Sequence, residues 1–465
     1  MNTACTPKRY PRSAQRGLAS LVVVMVLFGI VALVAAYTNR NLIFEQRTSL
    51  NQYRSTQALE AAEAGLEWAK ALLNSGRINA TCQPSTATAD NSFRQRYLSI
   101  DADGLVMPVA NLNPPASPDT SALTAACVRN GTGWSCSCPA TGVPTPATSG
   151  DQVNPAFRVR FIGGQGQAGV VRLEVNGCTR FDREGCLNFL GTSTGGGAGA
   201  GADRSMGLAN DGRVIITELI SLASGLPSPP VAALTAGGNV NLGGATARLA
   251  NGHVPSGGWT VHTAGTVTAA GLQLESLPGT PGGLSLLESD GQLPTGTDRL
   301  FASVFNMWPD TFRTQPGIVV LDATATGCSA GGCTAAAVRT ASQQFPGLPI
   351  WVAGDLVVDS TGDIGSTTEP VVVVVNGDLT FSSAGATTSL FGVVFVRKAT
   401  WTSAGAGLIR GAVIAQGAVS GSMTTQVSYA ADVIKRARLA TGSFVRIPGG
   451  WKDYCSGAAN VIDCR

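Results

Sequence analysis

LASLVVVMVLFGIVALVAAYTNRNLIFEQRTSLNQYRSTQALEAAEAGLEWAKALLN, residues 18–74, decides the architecture. Its first twenty positions carry no charge, and at about 1.5 Å per residue they can cross a hydrocarbon core of roughly 30 Å. Beyond residue 37 no proline and no glycine except Gly65 interrupts the pattern, so the membrane helix is expected to continue into water, about 85 Å in all. Leu59, Ala62, Leu66, Ala69 and Leu73 recur at steps of three and four and make one apolar stripe. Ala58, Ala61 and Gly65 keep much of that stripe small, which lets another helix or a sheet approach closely. Taken alone, these features describe an amphipathic stalk on a single-pass anchor.

The segment before the span, MNTACTPKRYPRSAQRG, holds Lys8, Arg9, Arg12 and Arg16, no acid, and a terminal Gly17. The positive-inside rule keeps it cytoplasmic. An ordinary secretory signal has a shorter apolar region with its cleavage site after that region, not before it. Charge elsewhere is balanced: without those four bases, 28 Lys and Arg face 29 Asp and Glu. Bulk electrostatic capture of nucleic acid has no support in that balance, and no nucleic-acid partner is expected. Charged residues make up 13% of the 465, with 58 glycines and a mean hydropathy of +0.17, which excludes a charged disordered tail or a coiled-coil rod.

Ten of the 11 cysteines follow the span and Cys5 precedes it, an even exported count that suits an oxidising compartment. His253 and His262 are the only histidines, which argues against His-rich metal sites.

The Gly-terminated basic leader, the adjoining apolar helix and EQRTSLNQYRSTQALEAAEAGLE (Glu45 to Glu67) resemble the N-terminus of the PilX family of type IV pilus minor pilins. The resemblance covers roughly the first 75 residues, and AAEAGLE is its most specific part. It implies cleavage after Gly17 by the prepilin peptidase and N-methylation of Leu18, with the mature helix packed in a pilus core and the soluble domain outward. Most pilins carry a Glu at the fifth mature position, where it pairs with a neighbour's terminal amine; here that position is Val22. A subunit at the tip, with nothing distal to pair with, can do without that carboxylate. Pseudopilin K of type II secretion, which is similar to PilX and caps its pseudopilus, shares the absence.

Residues 80–150 are rich in Thr, Ser, Pro and Cys and suggest loops stapled by disulfides. AFRVRFIGGQGQAGVVRLEVNGC (Ala156 to Cys178) alternates on both sides of a Gly-rich turn and predicts a hairpin, which by resemblance lies on the helix stripe. Gly164, Gly166 and Gly169 match the dinucleotide fingerprint, but a strand follows where a phosphate cradle needs a helix N-terminus. Residues 191–207 form a Gly-rich linker and are read as the domain boundary. Beyond it, RVIITELISL and short apolar runs such as IWVAGDLVV, VVVVVNGDLTF, LFGVVFV and IRGAVIA predict stacked strands, either a β-solenoid or a sandwich. Asp298 to Trp308 predicts a short helix with Asp298 as N-cap, and VIKRARLATGSFVRIPGGWKDYC a last strand pair.

Asp355, Asp359, Asp363 and Asp378 on stacked strands are similar to the carboxylates of β-helical sugar hydrolases, but GD and NGD are also ordinary turn dipeptides. No G-x-S-x-G elbow occurs. Asp101-Ala-Asp103-Gly104 lacks the distal Glu of an EF-hand, and Cys136-Ser-Cys138 lacks a partner motif for zinc.

The sequence therefore predicts an α+β protein: leader 1–17, transmembrane helix 18–37, periplasmic helix 38–78, a pilin-like antiparallel region 79–190, linker 191–207 and a β-rich domain 208–465. It predicts a noncatalytic structural subunit with no cofactor and no metal, in the inner membrane before assembly and on a surface pilus after it. By resemblance its partners are other minor pilins, the major pilin, the prepilin peptidase and a tip adhesin. The alternatives are an uncleaved membrane-anchored surface binding protein and a β-helical carbohydrate hydrolase. Cys455 with Cys464, resembling the closed C-terminal loop of many pilins, is the first disulfide expected; Cys178 with Cys186 and Cys328 with Cys333 close short loops. Cys82, Cys127, Cys136 and Cys138 leave three connectivities open, Cys136 to Cys138 being sterically the poorest.

Overall fold

The computed structural model describes residues 16–112, 122–148, 154–163, 166–180, 186, 212–243, 247–268, 270–382, 388–398, 401–403, 407–422 and 424–452. Helix α1 (Arg16–Leu73) is unbroken, as expected of a segment without interior proline. Its upper half lies across a six-stranded antiparallel sheet. In chain order the strands are β1 (Ala125–Asn130), β2 (Gly133–Ser137), β3 (Ala156–Ile162), β4 (Val170–Cys178), β5 (Arg213–Ser224) and β6 (Gly442–Lys452), and their spatial order is β6-β5-β4-β3-β1-β2. Strands β3 and β4 are the hairpin legible in the sequence, with Phe157, Val159, Phe161, Val171, Leu173 and Val175 on the core face.

Two expectations change here. Residues 80–150 supply more than stapled loops: they hold a short helix α2 (Phe93–Tyr97), closed by a Ser92/Gln95 capping box, and β1 and β2 of the sheet. The boundary at 208 does not follow the strand pairing either, because β5 pairs with β4 from Val170↔Ser221 to Cys178↔Arg213 and β6 pairs with β5. Hydrogen-bonding edges, not linker composition, set sheet membership.

Between β5 and β6 lies a stack of parallel strands. Ile350, Val373, Val394 and Val413 are successive partners on its main face, 23, 21 and 19 residues apart. Strands at 332–334, 355–358, 379–381 and 401–403 form a second parallel face. This is a solenoid, so the sandwich alternative falls. Its winding order is permuted. Val413 pairs with Leu234, which pairs with Val261, which pairs with Leu286. The chain thus enters in the middle of the stack, winds to one end, returns to Val319 at the other and winds back. The run VVVVV (Val371–Val375) is buried on both sides: Val371, Val373 and Val375 line the interior, while Val372 and Val374 meet an outer layer.

That outer layer contains the returning segment, α3 (Arg299–Phe305) and α4 (Pro309–Arg313), whose Phe301, Phe305 and Phe312 pack on Trp351 and Phe395. Asp298 precedes the expected helix but does not cap it: with φ +63° it accepts bonds from Arg397 Nη2 at 2.6 Å and Gln416 Nε2 at 2.9 Å, tying the helix to two coils. Helix α5 (Ala335–Gln344) lays Ala337, Val338 and Ala341 on the solenoid interior. The stretch VIKRARLA (433–440), read above as strand, belongs to helix α6 (Ala431–Ala440), because Val433, Ile434 and Ala437 repeat at helical steps and bury together.

Candidate assembly interface

Helix α1 has two halves with opposite environments. From Ser20 to Tyr53 every residue whose side chain is described is exposed, including Leu21, Val22, Phe28, Leu33, Phe44 and Leu50. A window of this helix has mean hydropathy 2.7, so it is long and apolar enough to cross a membrane. Each such side chain left in water forgoes about 1.5–3 kcal/mol, so the half-helix needs lipid or other helices around it. Val22 lies in this half, 54% exposed. Gly17 and Leu18 are part of the helical backbone.

The upper half docks. Ala58, Ala61, Ala62, Leu66, Ala69 and Leu73 are all buried, and Leu59 packs at the margin of the same core. Small residues are required along this contact, at Gly177, Gly65 and Gly212. A Cβ on Gly177 of β4 would stand 2.1 Å from Ala58 O and 2.5 Å from Ala62 N, so strand backbone touches helix backbone. A Cβ on Gly65 would stand 2.7 Å from the Phe157 ring and 2.8 Å from Val175. Trp68 closes the flank, its ring 5.4 Å from both Phe93 and Phe157.

Polar groups fix the angle of docking. Glu218 of β5 is fully buried among apolar neighbours and faces Lys70 Nζ at 3.3 Å and Arg446 Nε of β6. Lys70 also meets Glu67 at 2.7 Å, and Arg446 Nη2 meets Glu67 at 3.2 Å, so helix and two strands share one ion-pair network. Asn74 pairs with the backbone of Phe444 in both directions: its Nδ2 donates to the carbonyl at 2.9 Å and its Oδ1 accepts the N–H at 2.7 Å. Arg94 of α2 donates to Leu73 O, Gly347 O and Gly442 O at 3.0, 3.0 and 2.8 Å, joining the helix end, the solenoid and β6. Burial pushes its pKa down to about 10.

A membrane-length apolar helix that continues into a small-residue seam on an antiparallel sheet is what the resemblance of residues 45–67 implies. The PilX N-terminal family model matches residues 16–67. This stretch is similar to PilX N-terminal segments. The match ends where the docked seam is half complete, and it covers neither the sheet nor the solenoid. No curated protein matches the sequence. Among solved structures, the competence-associated pilin ComZ from Thermus thermophilus is similar at 11% identity, covering 86% of this chain and 97% of its own, with a TM-score of 0.21.

Beyond this stretch the described disulfides join Cys82 to Cys138, Cys127 to Cys136, Cys178 to Cys186 and Cys328 to Cys333. Of the three connectivities open for the first four cysteines, this is the one that bonds Cys127 to its cross-strand partner Cys136. Cys455, Cys464 and the linker 191–207 lie outside the described residues. The other candidate groups sit apart from the interface. Asp101 Oδ1 accepts from Asp103 and Leu105 at 2.9 and 2.8 Å, as turn residues do, while Asp355 Oδ1 accepts the Asp378 N–H at 2.9 Å and so joins two successive coils of the solenoid. His262 Nε2 meets Asp290 Oδ2 at 2.6 Å, and His253 stacks 5.7 Å from Tyr429. Gly166 and Gly169 have positive φ in the hairpin turn, and strand β4 follows them.

Sequence reasoning missed Glu218, Asn74 and Arg94. Glu218 had a signal, since alternation in RVIITELISL puts it on the same face as Ile216 and Ile220. A carboxylate on an inward position calls for a cation. Asn74 and Arg94 bond to backbone far away in sequence and carried no such signal.

Proposed function

We propose that this protein is a noncatalytic minor pilin of a type IV pilus that helps initiate assembly and resides at or near the tip. The reading rests on one observation: a PilX N-terminal segment whose apolar half is entirely uncovered while its upper half is locked to a pilin-like sheet. The prepilin peptidase removes residues 1–17, Leu18 becomes the methylated N-terminus, and the freed helix joins other minor pilins and the major pilin. Val22 supports the tip position, because a distal subunit has no neighbour's amine to receive a carboxylate. The solenoid is the displayed part, and a tip adhesin is the partner the resemblance suggests for that end of the fibre.

The test is N-terminal sequencing of the protein from membranes and from sheared pili. A chain starting at Leu18 in both fractions supports the reading. A chain starting at Met1, or one absent from pili, refutes it.

A further inference from the structure

Ala58, Ala61 and Gly65, spaced by three and four residues, form a seam of α1 that the protein's own sheet covers. The same spacing continues downward through Arg54, Asn51, Arg47, Phe44 and Arg40. The sheet ends over Arg54, which is half-buried beneath Gly212 at the foot of β5, and below it the seam is exposed and basic. Phe44 is 56% exposed with Arg40 over its ring at 5.7 Å, and among the described residues none of the three arginines has an ion-pair partner. Glu45, the one acid between Arg40 and Arg54, projects from the opposite side of the helix.

We propose that the face made by Arg40, Phe44, Arg47, Asn51 and Arg54 docks the stalk helix of a different membrane-anchored subunit. That helix runs parallel to α1 and carries carboxylates at about seven-residue spacing just above its own apolar span. The inference rests on the reading of α1 as an assembly element. Two arguments select this occupant. The basic face is continuous with a seam already used for packing, and it begins three residues above the apolar span, so it lies at one fixed height over the bilayer. A partner anchored in the same bilayer must present its charges at that height. A second copy of this chain is a poor match: side by side it offers arginine to arginine, and rotated it offers the single acid Glu45 to three arginines. Its own acids Glu60, Glu63 and Glu67 lie well above, and bringing Glu60 and Glu67 opposite Arg47 and Arg54 needs a slide of about 13 residues, roughly 20 Å. Such a slide withdraws most of one span from the membrane.

The experiment places p-benzoylphenylalanine at Asn51 of the full-length chain in its own cells, irradiates, and identifies the adduct by mass spectrometry. The expected adduct is a different single-pass subunit. The triple change Arg40→Glu, Arg47→Glu, Arg54→Glu should cut its yield about tenfold, since several like-charge contacts replace attractive ones. Reversing the partner's acids to Arg should restore it. Unchanged protection of residues 58–73 from hydrogen exchange checks that the variant is folded. An adduct with a second copy alone, a yield indifferent to charge reversal, no rescue by the reciprocal swap, or no adduct overturns the proposal. Sheared pili from the same cells separate this from the functional reading: a charge-rescued adduct on a chain absent from pili sinks the pilus and keeps the interface, and an incorporated chain without the adduct does the reverse.

Discussion

Replacing Gly177 by Ala adds one methyl group where the helix and strand backbones meet. The new Cβ would lie 2.1 Å from Ala58 O, and no rotamer can relieve a backbone contact, so α1 must lift from β4 by more than about 1 Å to reach ordinary separation. A gap of that size forfeits a quarter to a half of the dispersion well along Ala62, Leu66, Ala69 and Leu73, on top of about 1–3 kcal/mol for overpacking. The expected loss is about 2–4 kcal/mol, local to the docked helix. Gly65→Ala makes the instructive comparison, because its Cβ meets only the Phe157 ring and a Val175 methyl, which can shift. It should cost about 1–2 kcal/mol. Amide hydrogen exchange on the full chain in detergent reads both, with Val371–Val375 of the solenoid as an internal reference that neither change should move. If Gly65→Ala proves the costlier of the two, backbone contact is not what sets the helix position, and the argument from Gly177 fails.

Asn74→Leu should destabilise the helix end by about 1–3 kcal/mol by leaving the Phe444 carbonyl and N–H unpaired, measured by exchange at Phe444. On the chain-entropy model, losing Cys82–Cys138, which spans 56 residues, should cost about 4 kcal/mol, against about 2 kcal/mol for Cys328–Cys333, which spans five. Paired Cys→Ser variants in urea would rank them, and equal costs would refute that account. Burial raises the Tyr97 pKa above its ordinary value near 10. Its contribution is therefore complete below about pH 10 and is lost as pH climbs from there toward the folded value, so Tyr97→Phe should blunt the alkaline fall in stability seen by denaturation between pH 9 and 11. Gly17→Trp should leave a membrane-bound precursor that retains residues 1–17, and normal maturation of that variant would refute the prepilin reading.

What was legible in the sequence was local. The helix from residue 18 to 74 announces itself because a membrane span and a three-four stripe are both continuous in the chain, and the hairpin from 156 to 178 because one face is polar and the other apolar. VVVVV carries no such alternation: its two faces are both buried, so the period that separates solenoid from sandwich vanishes where the sheet is deepest. The pairing of Val413 with Leu234 joins coils 179 residues apart against the order of the sequence, and no local pattern encodes it. The Gly-rich linker suggested a boundary, whereas the unpaired edge of β4 drew β5 into its sheet. VIKRARLA was misread for the opposite reason, since Val433 and Ile434 are adjacent and both buried, which suits a helix stripe and not a half-buried strand.

That β5 and β6 are neighbours in one sheet changes what the solenoid can do. Its chain enters at Ser224 and leaves at Gly442, and these two residues are register partners, so both ends are held by the sheet that holds α1. Arg94 then bonds Leu73 O, Gly347 O and Gly442 O at once, and Arg77 N donates to Gln344 O at 2.9 Å, so helix end, sheet and solenoid meet at one buried point. A domain appended by a single linker could pivot when pulled, but one inserted between paired strands must shear a ladder first. Tension along α1 therefore passes through β4, β5 and β6 into the coils. The seam of α1 on β4 lies on that path, and the ion pairs of Glu218 with Lys70 and Arg446 cross it beside the packed side chains of Leu66, Trp68 and Leu73.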